Sequence, residues 1–297
     1  MAAEAAPARK LLEYAPAKIN LTLRVRGRRA DGFHELESLV AFAQARDALA
    51  LAPGGTLRLA IRGSTAEKTG DLDDNLVLKA ARALARNAPV QLGKFTLIKR
   101  LPVAAGLGGG SSDAAAALRL LARLNGLHPD DPRIMAAAAA TGSDIPVCVA
   151  ARARIMRGRG ERLSPILPLP KIPALLINCG LAVSTRDVFA ALDGHYTTAE
   201  EPALSEVALH RRHSQDELID VVSRSGNDLE APALKLCPPI ADVLSALRAL
   251  PGCRLARMSG SGATCFGLFD DSDTAGAAKN TLRRRFPNWW MQSTLLG

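Results

Sequence analysis

Aromatic residues are scarce in this chain, at 4% of its 297 positions. Proteins that bind single-stranded nucleic acid generally need aromatic platforms on which bases stack, and few are available here. Cysteine is also sparse, with five residues at 148, 179, 237, 253 and 265. Their number is odd, no Cys-x-x-Cys occurs, and no His stands at ligand spacing. A disulfide scaffold and a structural zinc site are therefore not expected, and a reducing cytoplasm is the expected location. No uncharged apolar run reaches membrane-spanning length. The first residues carry Glu4, Arg9, Lys10 and Glu13 without an apolar block, so no secretory signal is read there.

What is present is the balance of a globular protein: 48% hydrophobic and 23% charged residues. A chain of this length can bury a full core and suggests one large domain or two of ordinary size. The formal charge is +9, and 29 of the 38 basic residues are arginine. A polyanionic partner would account for such an excess. The basic clusters at 24–29, 152–162, 211–212 and 283–285 are scattered, however, and most of them read as solvated surface. Nucleic-acid binding remains the minority reading.

Leu21, Leu23 and Val25 alternate with polar residues, as do Leu57, Leu59 and Ile61, and both stretches predict half-buried strands. Asn75 caps a helical run whose apolar face is Leu76, Val77, Ala80, Ala83 and Leu84. Phe95, Leu97 and Leu101 suggest another strand. A helix with Ala114, Leu118, Leu121 and Leu124 on one face follows and stops at Gly126. Residues 130–141 form a further helix with Pro132 in its first turn. Pro165, Pro168, Pro170 and Pro173 mark 164–173 as the expected crossing between domains, with domains 1–165 and 166–297. Further on, helices are expected near 186–192, 216–223, 228–236, 240–250 and 274–285. Strands are expected near 174–177, 254–258, 264–269 and 289, and residues 194–214 read as a surface loop. The mixture lacks regular strand–helix alternation and predicts an α+β fold.

Three segments carry chemistry. Pro102-Val103-Ala104-Ala105-Gly106-Leu107-Gly108-Gly109-Gly110-Ser111-Ser112 opens a helix. Glycines permit tight turns and close backbone approach, and the helix start supplies N–H donors and positive dipole. This favours phosphate binding over a merely flexible loop. Neither a Walker nor a Rossmann spacing is present. In Ala15-Pro16-Ala17-Lys18-Ile19-Asn20, Lys18 is an isolated cation in an apolar strand, which either meets a carboxylate or ligand or snorkels to water. In Gly142-Ser143-Asp144-Ile145-Pro146, Asp144 is equally a buried partner for such a cation or a helix cap.

Taken in order, these segments resemble the motifs of the GHMP kinases, the family of galactokinase, homoserine kinase and mevalonate kinase. The segment Met258-Ser259-Gly260-Ser261-Gly262-Ala263-Thr264 resembles the family's C-terminal glycine motif, which supports the phosphate loop. With Gly27-Arg28-Arg29-Ala30-Asp31-Gly32-Phe33-His34 added, the match narrows to a branch of that family working in the non-mevalonate isoprenoid pathway. The resemblance covers almost the whole chain. It implies a two-domain fold with the active site in the interdomain cleft, and phosphoryl transfer from ATP to the 2-hydroxyl of a small-molecule diphosphocytidyl methylerythritol. It implies no membrane or nucleic-acid partner. The rivals are another small-alcohol kinase of the mevalonate or homoserine type and a non-catalytic nucleic-acid binder.

By that resemblance Asp144 accepts the hydroxyl proton, while Lys18 keeps Asp144 ionised and offsets charge on the attacking oxygen. Residues 102–112 hold ATP, and Asn75 lies near the adenine. Mg²⁺ is expected on the phosphates with Ser112 nearby, its ligands otherwise unassigned. Asn20, Phe33, His34, Lys99 and Phe189 match the substrate site: Phe33 and Phe189 sandwich the cytosine, and His34 and Lys99 read its edge, partly through the backbone. Lys18 and Lys99 are also the clearest cations to face phosphate. Two positions depart from the pattern. Relatives often have Tyr at 33, and often Gly-Gly where Ala104-Ala105 stand, so the loop entry is expected to keep negative φ.

Overall fold

The computed structural model describes residues 10–192, 194, 196–197, 209 and 211–297. It divides into two compact units. The first comprises Met1–Ala15, Arg46–Arg100 and Gly110–Val149; the second comprises Pro16–Ala45, Leu101–Gly109 and Ala150–Gly297. The proline-bearing stretch 164–173 lies inside the second unit. The surface loop read at 194–214 falls mostly outside the described residues.

In the first unit, β4 (Arg58–Arg62) runs parallel to β5 (Gly93–Ile98), and helix α1 (Leu76–Asn87) is the crossover that a parallel pair requires. Asn75 caps α1, its side chain accepting from the Val77 N–H at 3.0 Å. β5 also pairs antiparallel with the later part of β3 (His34–Pro53), from Ala48 opposite Ile98 to Pro53 opposite Gly93. Helix α2 (Gly109–Leu124) enters this unit at Gly110 and buries Ala114, Leu118 and Leu121. Gly126, with φ of 65°, supplies the left-handed residue beyond its end. Helix α3 (Pro132–Thr141), capped by Asp131, packs against α1, and α4 (Ile145–Ala150) follows.

The second unit is built on an antiparallel sheet in the order β11 (Trp290–Leu296), β8 (Ile172–Asn178), β10 (Thr264–Phe269) and β9 (Cys253–Met258). All seven residues of β8 are buried. Leu175 and Ile177 point into one core, with Val188 of α5 (Thr185–Ala190), Ala233 of α7 (Glu230–Leu236), Val243 of α8 (Pro239–Arg248) and Leu282 of α9 (Ser272–Arg285). Ala174 and Leu176 point into another, with Ile19, Leu39, Phe266 and Leu218 of α6 (Gln215–Ser223). Burial on both faces explains why β8 reads as an unbroken apolar run.

Residues 10–45 are less regular than their alternation suggests. β1 (Leu11–Asn20) ends where Leu21 was expected to begin a strand, and β2 (Arg24–Arg28) starts only after a break. Leu23 there bridges to Asn227, and its N–H donates to Gly226. β6 (Arg154–Gly158) and β7 (Arg162–Leu163) form a hairpin, with β6 paired to the first part of β3. No helix among the described residues is long and apolar enough to cross a membrane.

Candidate active site

In the second unit the glycine segment closes on the end of β1. Leu101 and Leu107 sink into the core that also holds Ile19, anchoring both ends of the loop. The Lys18 N–H donates to the Leu107 carbonyl at 2.8 Å. The Lys18 stem lies against Gly108, where an added Cβ would fall 3.1 Å from Lys18 Cβ. Lys18 is thus a buried cation seated on the loop.

A second turn, 259–262, holds the loop from beneath. A side chain at Gly106 would place its Cβ 2.3 Å from the Ser259 carbonyl oxygen, so only glycine permits this approach. The Ser259 hydroxyl donates to the Gly106 carbonyl at 3.0 Å and accepts from the Asn20 N–H at 3.1 Å. The Thr264 N–H donates to the Ala105 carbonyl at 3.1 Å. Asn227 braces the turn in its own right, its Nδ2 donating to the carbonyls of Met258 and Gly260 at 2.8 Å each. Asn20 also donates through Nδ2 to Ser38 at 2.7 Å, while its Oδ1 is buried without a hydrogen-bond partner.

Ala104 corrects the expectation of negative φ at the loop entry. Its φ is 51°, in the left-handed region that alanine disfavours by about 1 kcal/mol. The bonds that hold the next two residues, Ala105 and Gly106, impose this conformation on the chain entering them.

The aromatic residues assigned to the cytosine sit in the same unit but do not all meet. His34, at the start of β3, stacks on Phe189 of α5 with ring centroids 4.7 Å apart and planes at 24°. Phe33, in the turn before β3, is 48% exposed and lies beneath Arg159, whose guanidinium carbon is 5.0 Å from the ring centroid. That turn is shaped by Asp31, which accepts from the Phe33 N–H at 3.1 Å. Burial, with Arg28 adding to it, holds the His34 pKa below its ordinary value. Arg159 carried no signal in the sequence, because nothing local ties residue 159 to residue 33.

The first unit holds Asn75, Lys99, Gly110, Ser111, Ser112 and Asp144. Gly110 packs on the Leu76 side chain, and an added Cβ there would fall 3.4 Å from Leu76 Cδ1, so the starts of α1 and α2 adjoin. Ser112 is buried in the first turn of α2, with its hydroxyl 3.5 Å from Cys148 Sγ. Asp144 is half-buried at the residue before α4.

Lys99 requires a correction. Its ammonium is 2.6 Å from Asp47 Oδ2 and 2.8 Å from Asp113 Oδ2, and all three side chains are buried. Burial disfavours the Lys99 cation, but the charges of Asp113 and Asp47 outweigh that and leave its pKa raised. The ammonium is committed to the protein interior and does not face phosphate, so any reading of a ring edge by Lys99 falls to its main chain. The sequence assigns no role to Asp47 or to Asp113, the residue that closes the glycine segment, because a carboxylate does not announce a partner remote in the chain.

Two stretches of the chain match family profiles: residues 75–152 match the GHMP kinases N terminal domain, and residues 205–288 match GHMP kinases C terminal. A 4-diphosphocytidyl-2-C-methyl-D-erythritol kinase from Methylorubrum extorquens is 54% identical over 287 residues, covering 95% of this chain and 97% of that protein. The enzyme of the same name from Rhodopseudomonas palustris is 52% identical over 291 residues, covering 96% and 99%. A crystal structure of 4-(cytidine 5'-diphospho)-2C-methyl-D-erythritol kinase superposes with a TM-score of 0.74 at 35% identity, covering 97% of this chain and 99% of that one. The chain belongs to the GHMP kinases, with the α+β fold of that family.

Proposed function

We propose that this kinase transfers the γ-phosphoryl group of ATP to the 2-hydroxyl of 4-diphosphocytidyl-2-C-methyl-D-erythritol, in the non-mevalonate route to isoprenoids. Near-full-length similarity to proteins bearing that kinase's name supports the substrate. The observation that carries the chemistry is Lys18 seated on a glycine loop that opens a 16-residue helix. Such a loop presents N–H groups to phosphate, and phosphoryl transfer needs little beyond positioning and charge.

In this reading residues 102–112 hold the triphosphate and Asn75 flanks the adenine. Asp144 removes the proton from the acceptor hydroxyl. Lys18 offsets negative charge as the attacking oxygen develops it. Asn20, Phe33, His34, Phe189 and the Lys99 main chain take the diphosphocytidyl substrate, with the cytosine against the aromatic faces. Mg²⁺, when bound with ATP, would supply positive charge to the phosphates. Among the described residues no group of three His, Cys, Asp or Glu could hold a metal ion. Such an ion would be carried on the nucleotide with most of its waters, and the Ser112 hydroxyl is the side chain that would approach it. A chain-order division at 165/166 falls in the stretch between the family matches at 75–152 and 205–288, whereas the compact units interleave along the chain.

The test is a coupled ADP-release assay offering the diphosphocytidyl substrate beside mevalonate and homoserine. Turnover confined to the first is expected. Turnover on either of the others alone overturns the substrate assignment. Salt-sensitive RNA binding without ATP binding would overturn the enzymatic reading as well.

A further inference from the structure

The two ends of the nucleotide loop are joined by charges that the reaction itself does not use. The chain leaves the first unit after Arg100 and returns to it at Gly110. Lys99 stands at the exit, and Asp113 stands on α2 just past the return. Asp47, on β3, bonds to both residues at the exit: its Oδ2 accepts from Lys99 Nζ at 2.6 Å, and its Oδ1 accepts from the Arg100 N–H at 2.5 Å. Lys99 Nζ completes the link by donating to Asp113 Oδ2 at 2.8 Å. The backbone of Lys99 is fixed too, its N–H donating to the Arg62 carbonyl at 2.7 Å.

We propose that Asp47 and Asp113, acting through Lys99, are positioning residues for ATP: a buried clasp that sets the exit and return of the phosphate loop. Three buried charges seldom add stability over a well-packed apolar cluster, because desolvation offsets their attraction. What such a cluster supplies is direction, since each bond holds its partner at one angle and distance. The residues it orients, Lys99 and Arg100 on one side and Asp113 on the other, bracket residues 101–112.

The clasp is also not saturated. Asp113 Oδ1 is buried with no hydrogen-bond partner. Burial pushes the Asp113 carboxyl up to about 7; Lys99 opposes this rise and the charge of Asp47 adds to it.

The proposal rests on the ATP site assigned above but not on the identity of the acceptor. Calorimetric titration with ATP reads it without any acceptor, so a wrong acceptor leaves the test intact. Wild type, Asp47→Asn and Asp113→Ala are titrated, with steady-state KM and kcat beside them. Asp47→Asn should raise the ATP Kd about tenfold, with kcat changed far less. Asp113→Ala, which removes the acceptor that Lys99 Nζ uses on α2, should raise it by a similar factor. An Asp47→Asn protein that binds ATP like wild type overturns the clasp. If Asp47→Asn does not fold, Asp113→Ala decides alone: ATP binding like wild type overturns it.

Discussion

The hydroxyl of Ser259 donates to the carbonyl of Gly106 at 3.0 Å. The same oxygen accepts from the Asn20 N–H, so one side chain ties the phosphate loop to the end of β1. Ser259 is fully buried, and its removal leaves two polar groups without this partner. Ser259→Ala should cost about 1–3 kcal/mol in urea denaturation and raise the KM for ATP. An unchanged midpoint and an unchanged KM would show that the bond holds nothing in place.

Alanine and glycine exchanges in the loop should act in opposite directions two residues apart. Ala104→Gly relieves a φ of 51° and should stabilise the protein by up to about 1 kcal/mol. Gly106→Ala drives a Cβ to 2.3 Å from the Ser259 carbonyl oxygen and must displace the turn beneath. It should lose most ATP binding while the far-UV circular dichroism stays native. Equal behaviour of the two variants would contradict this loop geometry.

Asp144→Asn separates a base from a structural residue. Loss of general-base catalysis should cut kcat by about 100-fold or more. ATP affinity, measured by titration, should stay within about twofold, since the proposed nucleotide contacts are residues 102–112 and Asn75. A kcat near wild type would assign Asp144 to helix capping alone.

His34 should titrate below the ordinary histidine range. Its folded pKa is depressed by burial and by Arg28, so the unfolded chain binds the proton more readily. The stability it contributes is present above the unfolded pKa and is lost as pH falls through the folded value. NMR titration of the ring protons reads this directly, and a midpoint at or above about 6.5 would refute it. His34→Ala should raise the KM for the diphosphocytidyl substrate and leave the KM for ATP unchanged.

The parts of this protein that are legible one segment at a time are those settled within a few residues. Asn75 caps its helix as its position predicts, and Gly126 ends α2 with a positive φ. The glycine loop announces itself for the same reason, since its backbone freedom is a property of its own residues. β3 does not, because its middle, 39–43, is buried on both sides and loses the alternation that marks a strand.

From sequence alone come the α+β class, the order of motifs, the family, and the residue types available for phosphoryl transfer. Tertiary structure decided which of those groups are at liberty to act. Lys99 read as a cation for phosphate, yet carboxylates 52 and 14 residues away claim its ammonium. Ser259 found its role 153 residues from Gly106 and 239 from Asn20. Ala104 took a conformation its own side chain disfavours because Ala105 and Gly106 are bonded to a distant turn. Local preferences are worth about 1 kcal/mol per residue, and a few buried hydrogen bonds between remote segments outweigh them.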